Sequence, residues 1–252
     1  MITCLQAEKL LFSQDAFGMH LASTERFADE ISPNVLEYEA KKYFANILLP
    51  YAQLITRLLD RIGKLGLDIS VIAPDHGPVW RTVDDIHKIL GLYAAWAEQK
   101  PTPKAVVVYD TMWKSTDLMA RAIADGLSTG GISVKVMSLS AYHRSDVATE
   151  IQNAGTLIVG SPTLNNTIFP TVADVLVYLK GLKPNNLFGA AFGSYGWSGE
   201  AVKQLEDMLD EMKVTRVAES VKINYVPDND ALILCYELGR QVAEKLNEKL
   251  NG

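Results

Sequence analysis

Ala105-Val106-Val107-Val108-Tyr109-Asp110-Thr111-Met112-Trp113-Lys114-Ser115-Thr116 runs from an apolar stretch through a polar turn directly into a helical period. A short, continuous apolar run of this kind marks a strand buried on both faces, as in parallel sheets. The same unit recurs. Apolar runs at 133–137, 156–160 and 187–192 each lead into a turn and then a helical pattern. This alternation predicts βαβ units and a parallel sheet with helices on both sides. Helices are expected over 116–128, 146–153, 170–179 and 198–212, with 229–250 closing the domain and a fifth strand inside 214–223. About 150 residues with five such repeats match a doubly wound α/β domain built on a five-stranded parallel sheet.

Upstream, the pattern breaks at Gln99-Lys100-Pro101-Thr102-Pro103-Lys104, where prolines and lysines separate a helical stretch from the first strand. A domain boundary is expected there, dividing the chain into 1–100 and 101–252. The first part predicts strands at 9–13 and 69–73, helix over 33–63 with a break at Pro50, and helix over 83–98. Two short strands leave open edges and an apolar face uncovered, so this part reads as an incomplete α/β segment. With 252 residues, 48% hydrophobic and 21% charged, the chain has the composition of a folded protein rather than a disordered or disulfide-stapled one. Its net charge of -6 is the wrong sign for a phosphate-backbone binder, so no nucleic-acid partner is expected. Cys4 and Cys235 are far apart in sequence, which excludes a CxxC pair or a cysteine-based metal knuckle. No apolar run approaches the roughly 20 residues that span a bilayer, and Met1-Ile2-Thr3-Cys4 lacks the basic start of a signal peptide. The expectation is a soluble cytoplasmic chain with no membrane contact.

In open α/β sheets, ligands bind beyond the carboxyl ends of the strands, near the switch in strand order. The loop Asp110-Thr111-Met112-Trp113-Lys114-Ser115-Thr116 offers hydroxyls, a lysine and the unpaired N–H groups of a helix start, a cradle suited to a phosphate monoester. It is neither a Walker A loop nor a GxGxxG fingerprint, because the glycines are missing. Ser115 or Thr116 can equally serve as a helix cap. The third strand ends in Gly160-Ser161-Pro162-Thr163-Leu164-Asn165-Asn166 and the fourth in Gly193-Ser194-Tyr195-Gly196-Trp197-Ser198-Gly199. Both loops offer small residues and hydroxyls for the edge of a flat polar ring, with Leu164, Tyr195 and Trp197 to cover its faces. Together the three loops point to flavin mononucleotide (FMN).

These three loops, with Tyr109 at the head of the first, resemble the flavodoxin-like domain of the flavodiiron proteins, or A-type flavoproteins. Leu11-Phe12-Ser13-Gln14-Asp15-Ala16-Phe17-Gly18 and Ala73-Pro74-Asp75-His76-Gly77-Pro78 are similar to the end of that family's metallo-β-lactamase-like domain. The resemblance covers essentially the whole chain. It implies a flavodoxin-like domain preceded by an incomplete metallo-β-lactamase-like segment. It implies further that Thr111, Trp113, Ser115 and Thr116 hold the flavin phosphate, with Met112 and Lys114 in the same loop. Pro162, Thr163, Leu164, Asn165, Ser194, Tyr195, Gly196, Trp197 and Gly199 would hold and cover the ring.

Flavodiiron proteins reduce dioxygen or nitric oxide at a non-haem di-iron centre, with the flavin as electron donor. On that resemblance Asp15 would be a bridging carboxylate and His76 an imidazole ligand, residue types that suit non-haem iron. The family's HxExD motif and a further histidine have no counterpart here. His20, His87 and His143 form no such pair and are assigned no metal role. A di-iron centre, and with it an oxidoreductase activity, therefore requires ligands from elsewhere. The chain is either a fragment with a working flavin domain or one half of an assembly completed by another polypeptide. The expected partners are a second copy in a homodimer or a complementing N-terminal chain, and, as the resemblance implies, an external electron donor such as a rubredoxin-like protein. A stand-alone flavodoxin-like carrier and a flavin-dependent NAD(P)H:quinone reductase are the competing readings.

Overall fold

A computed structural model describes residues 2–252, which divide into two units, 2–99 and 100–252. In the first, β1 (Thr3–Leu5) runs antiparallel to β2 (Leu10–Gln14), and helices α1 (Pro33–Tyr43) and α2 (Ala52–Leu65) follow. Strand β3 (Val71–Pro74) then pairs parallel with β2, and α3 (Val83–Glu98) ends the unit. The sheet thus has three strands where the sequence predicts two. The additional strand β1 has only three residues, too few for an alternating pattern to register. The helical break is longer than Pro50 alone implies: a π-helical turn at Phe44–Leu48 and a 3-10 turn at Leu49–Tyr51 separate α1 from α2. Pro50 lacks the N–H that would continue the α-helical ladder. Helix α3 buries Ile86, Ile89, Tyr93 and Trp96, one stripe at helical spacing, and its Tyr93 ring packs against Phe17 and Phe44 at 4.8 and 5.1 Å.

The second unit opens with β4 (Lys104–Tyr109), α4 (Ser115–Thr129), β5 (Ser133–Ser138), α5 (Arg144–Ile151) and β6 (Thr156–Gly160). A hairpin of β7 (Thr163–Leu164) and β8 (Thr167–Ile168) leads to α6 (Pro170–Leu182). The chain continues through β9 (Phe188–Tyr195), α7 (Glu200–Glu211), β10 (Thr215–Arg216), β11 (Val221–Asn224) and α8 (Asn229–Asn251). The main sheet is parallel throughout, in the order β5-β4-β6-β9-β10, with β11 also on β9. Counted from β4, this is the second-first-third-fourth-fifth order of a doubly wound fold, and the order switches between β4 and β6. The α/β, flavodoxin-like fold class expected from the sequence is the one found.

The fifth strand position is filled by two short pieces rather than one strand. Thr215 sits opposite Phe188, whereas Val221 sits opposite Phe192. Between them the chain is held toward α7, where Arg216 pairs with Glu206 and Asp210 and Ser220 Oγ donates to Glu206 Oε1. Central strand residues Val106, Val107, Val108, Leu157, Ile158 and Val159 are fully buried, which is why they read as unbroken apolar runs. Helix α5 starts two residues before the expected 146 because His143 caps it, its Nδ1 accepting from Ser145 N at 3.3 Å. Among the described residues, no helix is long and apolar enough to cross a membrane.

Candidate functional site

At the carboxyl end of β4, the backbone leaves the sheet at Asp110 and reaches the first turn of α4 through residues 111–114. The N-cap of α4 is Lys114, in left-handed backbone at φ 69° and with no side-chain capping bond. Ser115 and Thr116 therefore lie inside the helix, and neither is its cap. Their hydroxyls sit in the first turn, where the N–H groups have no intrahelical acceptors. Thr116 is fully buried, with Oγ1 3.1 Å from Ser194 Oγ of β9. Thr111 Oγ1 is buried and has no hydrogen-bond partner among the described residues.

The next strand end carries the β7–β8 hairpin. Its turn residues Asn165 and Asn166 both have positive φ, 50° and 60°, the backbone of a two-residue type I′ turn. Gln204 of α7 fastens it: Oε1 accepts from Thr167 Oγ1 at 2.7 Å and Ile168 N at 3.2 Å, while Nε2 donates to Asn166 O at 3.2 Å. Ser161, fully buried, receives Phe169 N at 2.8 Å and so fixes the entry to α6. After β9, Asn224 Nδ2 donates to Tyr195 O and Gly196 O at 3.2 and 3.0 Å, holding that loop from the fifth strand position.

These loops enclose a cavity of about 640 Å³, within the roughly 300–1,000 Å³ of small-molecule and cofactor sites. Of the residues expected from sequence, Met112, Trp113 and Ser115 line it from the first loop. Pro162, Thr163, Leu164 and Asn165 line it from the second, and Ser194, Tyr195, Gly196 and Trp197 from the third. Thr111, Lys114, Thr116 and Gly199 do not form its wall. Lys114 is the exposed helix cap, and Gly199 is the N-cap of α7, shielded by the Lys222 side chain. Asn166, Ser198, Tyr225 and Val226 also line the cavity and were not anticipated. Asn166 and Ser198 belong to loops already read. Tyr225 and Val226 follow β11, and the same strand-end rule would have found them had the limits of the fifth strand been legible. Trp113 and Trp197 are 86% and 96% exposed, an unusual position for two indoles and one that leaves their faces open to a ligand.

In the first unit, Asp15 and His76 come together, with His76 Nε2 3.6 Å from Asp15 Oδ1. The same Asp15 oxygen accepts from Tyr43 Oη at 3.0 Å. Burial, reinforced by the Asp15 carboxylate, pushes the Tyr43 hydroxyl well above the usual phenol range, so it remains a donor. The His20 ring lies 5.3 Å from that of His76, edge to face. Among the described residues, no three His, Cys, Asp or Glu side chains are grouped to hold a metal.

Residues 107–239 match the family described as Flavodoxin. A nitric oxide reductase of Moorella thermoacetica is 47% identical over 247 residues, a match that covers 98% of this chain and 61% of that protein. The solved structure of rubredoxin oxygen:oxidoreductase from Desulfovibrio gigas superposes with a TM-score of 0.98 at 41% identity, over 100% of this chain and 63% of that one. The flavodiiron protein of Giardia intestinalis gives a TM-score of 0.93 at 29% identity, covering 98% and 61%. The second unit is thus a flavodoxin domain, which implies FMN. The chain belongs to the flavodiiron protein family and spans about three-fifths of the length of these relatives.

Proposed function

We propose that this chain is the FMN-binding electron-transfer module of a flavodiiron-type oxygen or nitric oxide reductase. The observation that carries the reading is the cavity at the switch point, walled by three strand-end loops, beside a buried Thr111 hydroxyl that has no hydrogen-bond partner among the described residues. A buried polar atom without a partner is rare in a native fold and suits a ligand that brings its own oxygens. Bound FMN supplies one- and two-electron chemistry, while the protein holds and tunes it. Thr111, Trp113, Ser115 and Thr116 would hold the phosphate, aided by the N–H groups that begin α4, with Met112 and Lys114 shaping the loop. Pro162, Thr163, Leu164 and Asn165, with Ser194, Tyr195, Gly196 and Trp197, would orient the ring and keep water from its faces.

Replacing Ser115 and Thr116 by Ala should weaken FMN binding, each lost contact to a phosphate dianion costing about 1–3 kcal/mol. Unchanged flavin retention by the folded variant would sink the assignment.

The side chains present do not fit a di-iron centre. Asp15 and His76 offer one carboxylate and one imidazole, and the Asp15 oxygen nearest His76 is already engaged by Tyr43. No step is therefore assigned to iron in this chain. A reductase would need the remaining ligands from a complementing N-terminal polypeptide, and electrons from an external donor of rubredoxin type. Iron measured against flavin in protein from its native source separates the cases. About two irons per flavin supports a completed site with Asp15 and His76 as ligands, and essentially none rules it out.

A further inference from the structure

We infer that Asp110 is a positioning residue for the flavin phosphate, fixing the loop that presents Thr111 and the start of α4, so that the site prefers phosphorylated over unphosphorylated flavin. This rests on the FMN reading of the cavity. Asp110 follows β4 directly at the switch point and is only 6% exposed. A carboxylate taken out of water needs donors in its place, and it has two from different elements. Oδ1 accepts from Thr111 N at 2.7 Å, and Oδ2 accepts from Thr171 Oγ1. Thr171 is the second residue of α6, a helix whose N-cap residue Phe169 makes no side-chain capping bond. The carboxylate thus lies at a helix N-terminus, where the unpaired N–H groups favour negative charge.

One buried side chain therefore ties the first peptide of the 111–114 loop to a helix 61 positions further along the chain. Asp110 occupies the Thr111 N–H, while the buried Thr111 hydroxyl has no hydrogen-bond partner among the described residues. The loop is fixed at its start by this anchor and at its end by the left-handed turn at Lys114. Donors held in place before the ligand arrives do not have to be ordered at binding, so the anchor contributes to affinity without touching the phosphate. The ring-covering residues 162–165 and 194–197 lie on other loops, and disturbing Asp110 should leave their contribution intact.

The test is titration of the full chain, stripped of flavin, with FMN and with riboflavin, which carries the same ring without the phosphate. The wild-type chain should prefer FMN. Asp110→Ala should weaken FMN about tenfold and riboflavin by less than about twofold. Asp110→Asn, whose amide oxygen still accepts from Thr111 N, should retain most of the preference. Thr171→Val removes the anchor at its far end and should weaken FMN selectively by about threefold, which keeps the inference testable if the Ala variant fails to fold. Equal losses for both ligands in folded variants, or undiminished preference in Asp110→Ala and Thr171→Val, would overturn the role of Asp110. A wild-type chain that binds no FMN would sink the FMN reading itself, and one that binds FMN and riboflavin equally would overturn this inference while leaving a flavin site.

Discussion

Thr111 carries a buried hydroxyl that hydrogen-bonds nothing among the described residues, in a loop whose other groups point to an anion. Valine has nearly the same shape without the hydroxyl. Thr111→Val should therefore leave the flavin-free chain equally stable or more stable in urea unfolding, because an unsatisfied polar atom is removed. FMN affinity should fall by about 1 kcal/mol, the worth of a typical hydrogen bond. A destabilised flavin-free chain with unaltered FMN binding would mean that the hydroxyl serves the fold instead. At this scale the sequence was a partial guide. Hydroxyls and glycines at strand ends were legible because the strand-end rule points at them. The role of Asp110 was not, since its second partner, Thr171, lies on a different helix and no local pattern links the two.

Helices α4 and α8 pack backbone to backbone, and two glycines permit it. A Cβ on Gly126 would lie 2.0 Å from Tyr236 O, and one on Gly239 would lie 2.2 Å from Ile123 O. Gly126→Ala must push the helices apart, and overpacking of this kind costs about 1–3 kcal/mol or more. Because α4 begins with Ser115, its displacement should also weaken FMN binding. Thermal unfolding checks the first effect and flavin titration the second, and a variant as stable as the wild type would contradict the close crossing. Elements were legible in proportion to how strongly burial shapes their pattern. β4 and β6 announce themselves as apolar runs. The β7–β8 hairpin was read as part of a binding loop, although Asn165-Asn166 is a turn signal, because its strands are two residues each. The two-piece fifth position escaped because Arg216 and Ser220 are drawn to α7 by contacts distant in the chain.

Across the molecule, several buried acids hold their protons more tightly than they would in an unfolded chain. Burial pushes the Cys235 thiol up to about 12. Burial, with the Asp117 carboxylate as a further cause, pushes the Tyr109 hydroxyl up to about 12. Tyr43 and Tyr93 are raised as well, both chiefly by burial. In the alkaline range the native state thus binds more protons than the unfolded state, and stability must fall as pH rises. The contribution is complete below about pH 9, where an unfolded thiol is still protonated, and is lost progressively toward pH 12. Urea midpoints measured from pH 8 to 11 should decline steadily above about 9, and a flat profile would contradict the burial of these groups.

Whether the cavity at the switch point is a flavin site is tested most directly by the FMN stoichiometry of the folded 252-residue chain in equilibrium titration. Trp113 and Trp197 line the cavity and are exposed without ligand, so their fluorescence should be quenched as flavin binds. The prediction is saturation at about one FMN per chain, as a single cofactor cleft requires, with quenching that follows binding. A folded chain that takes up no FMN, or takes it up with both indoles unaffected, would contradict it.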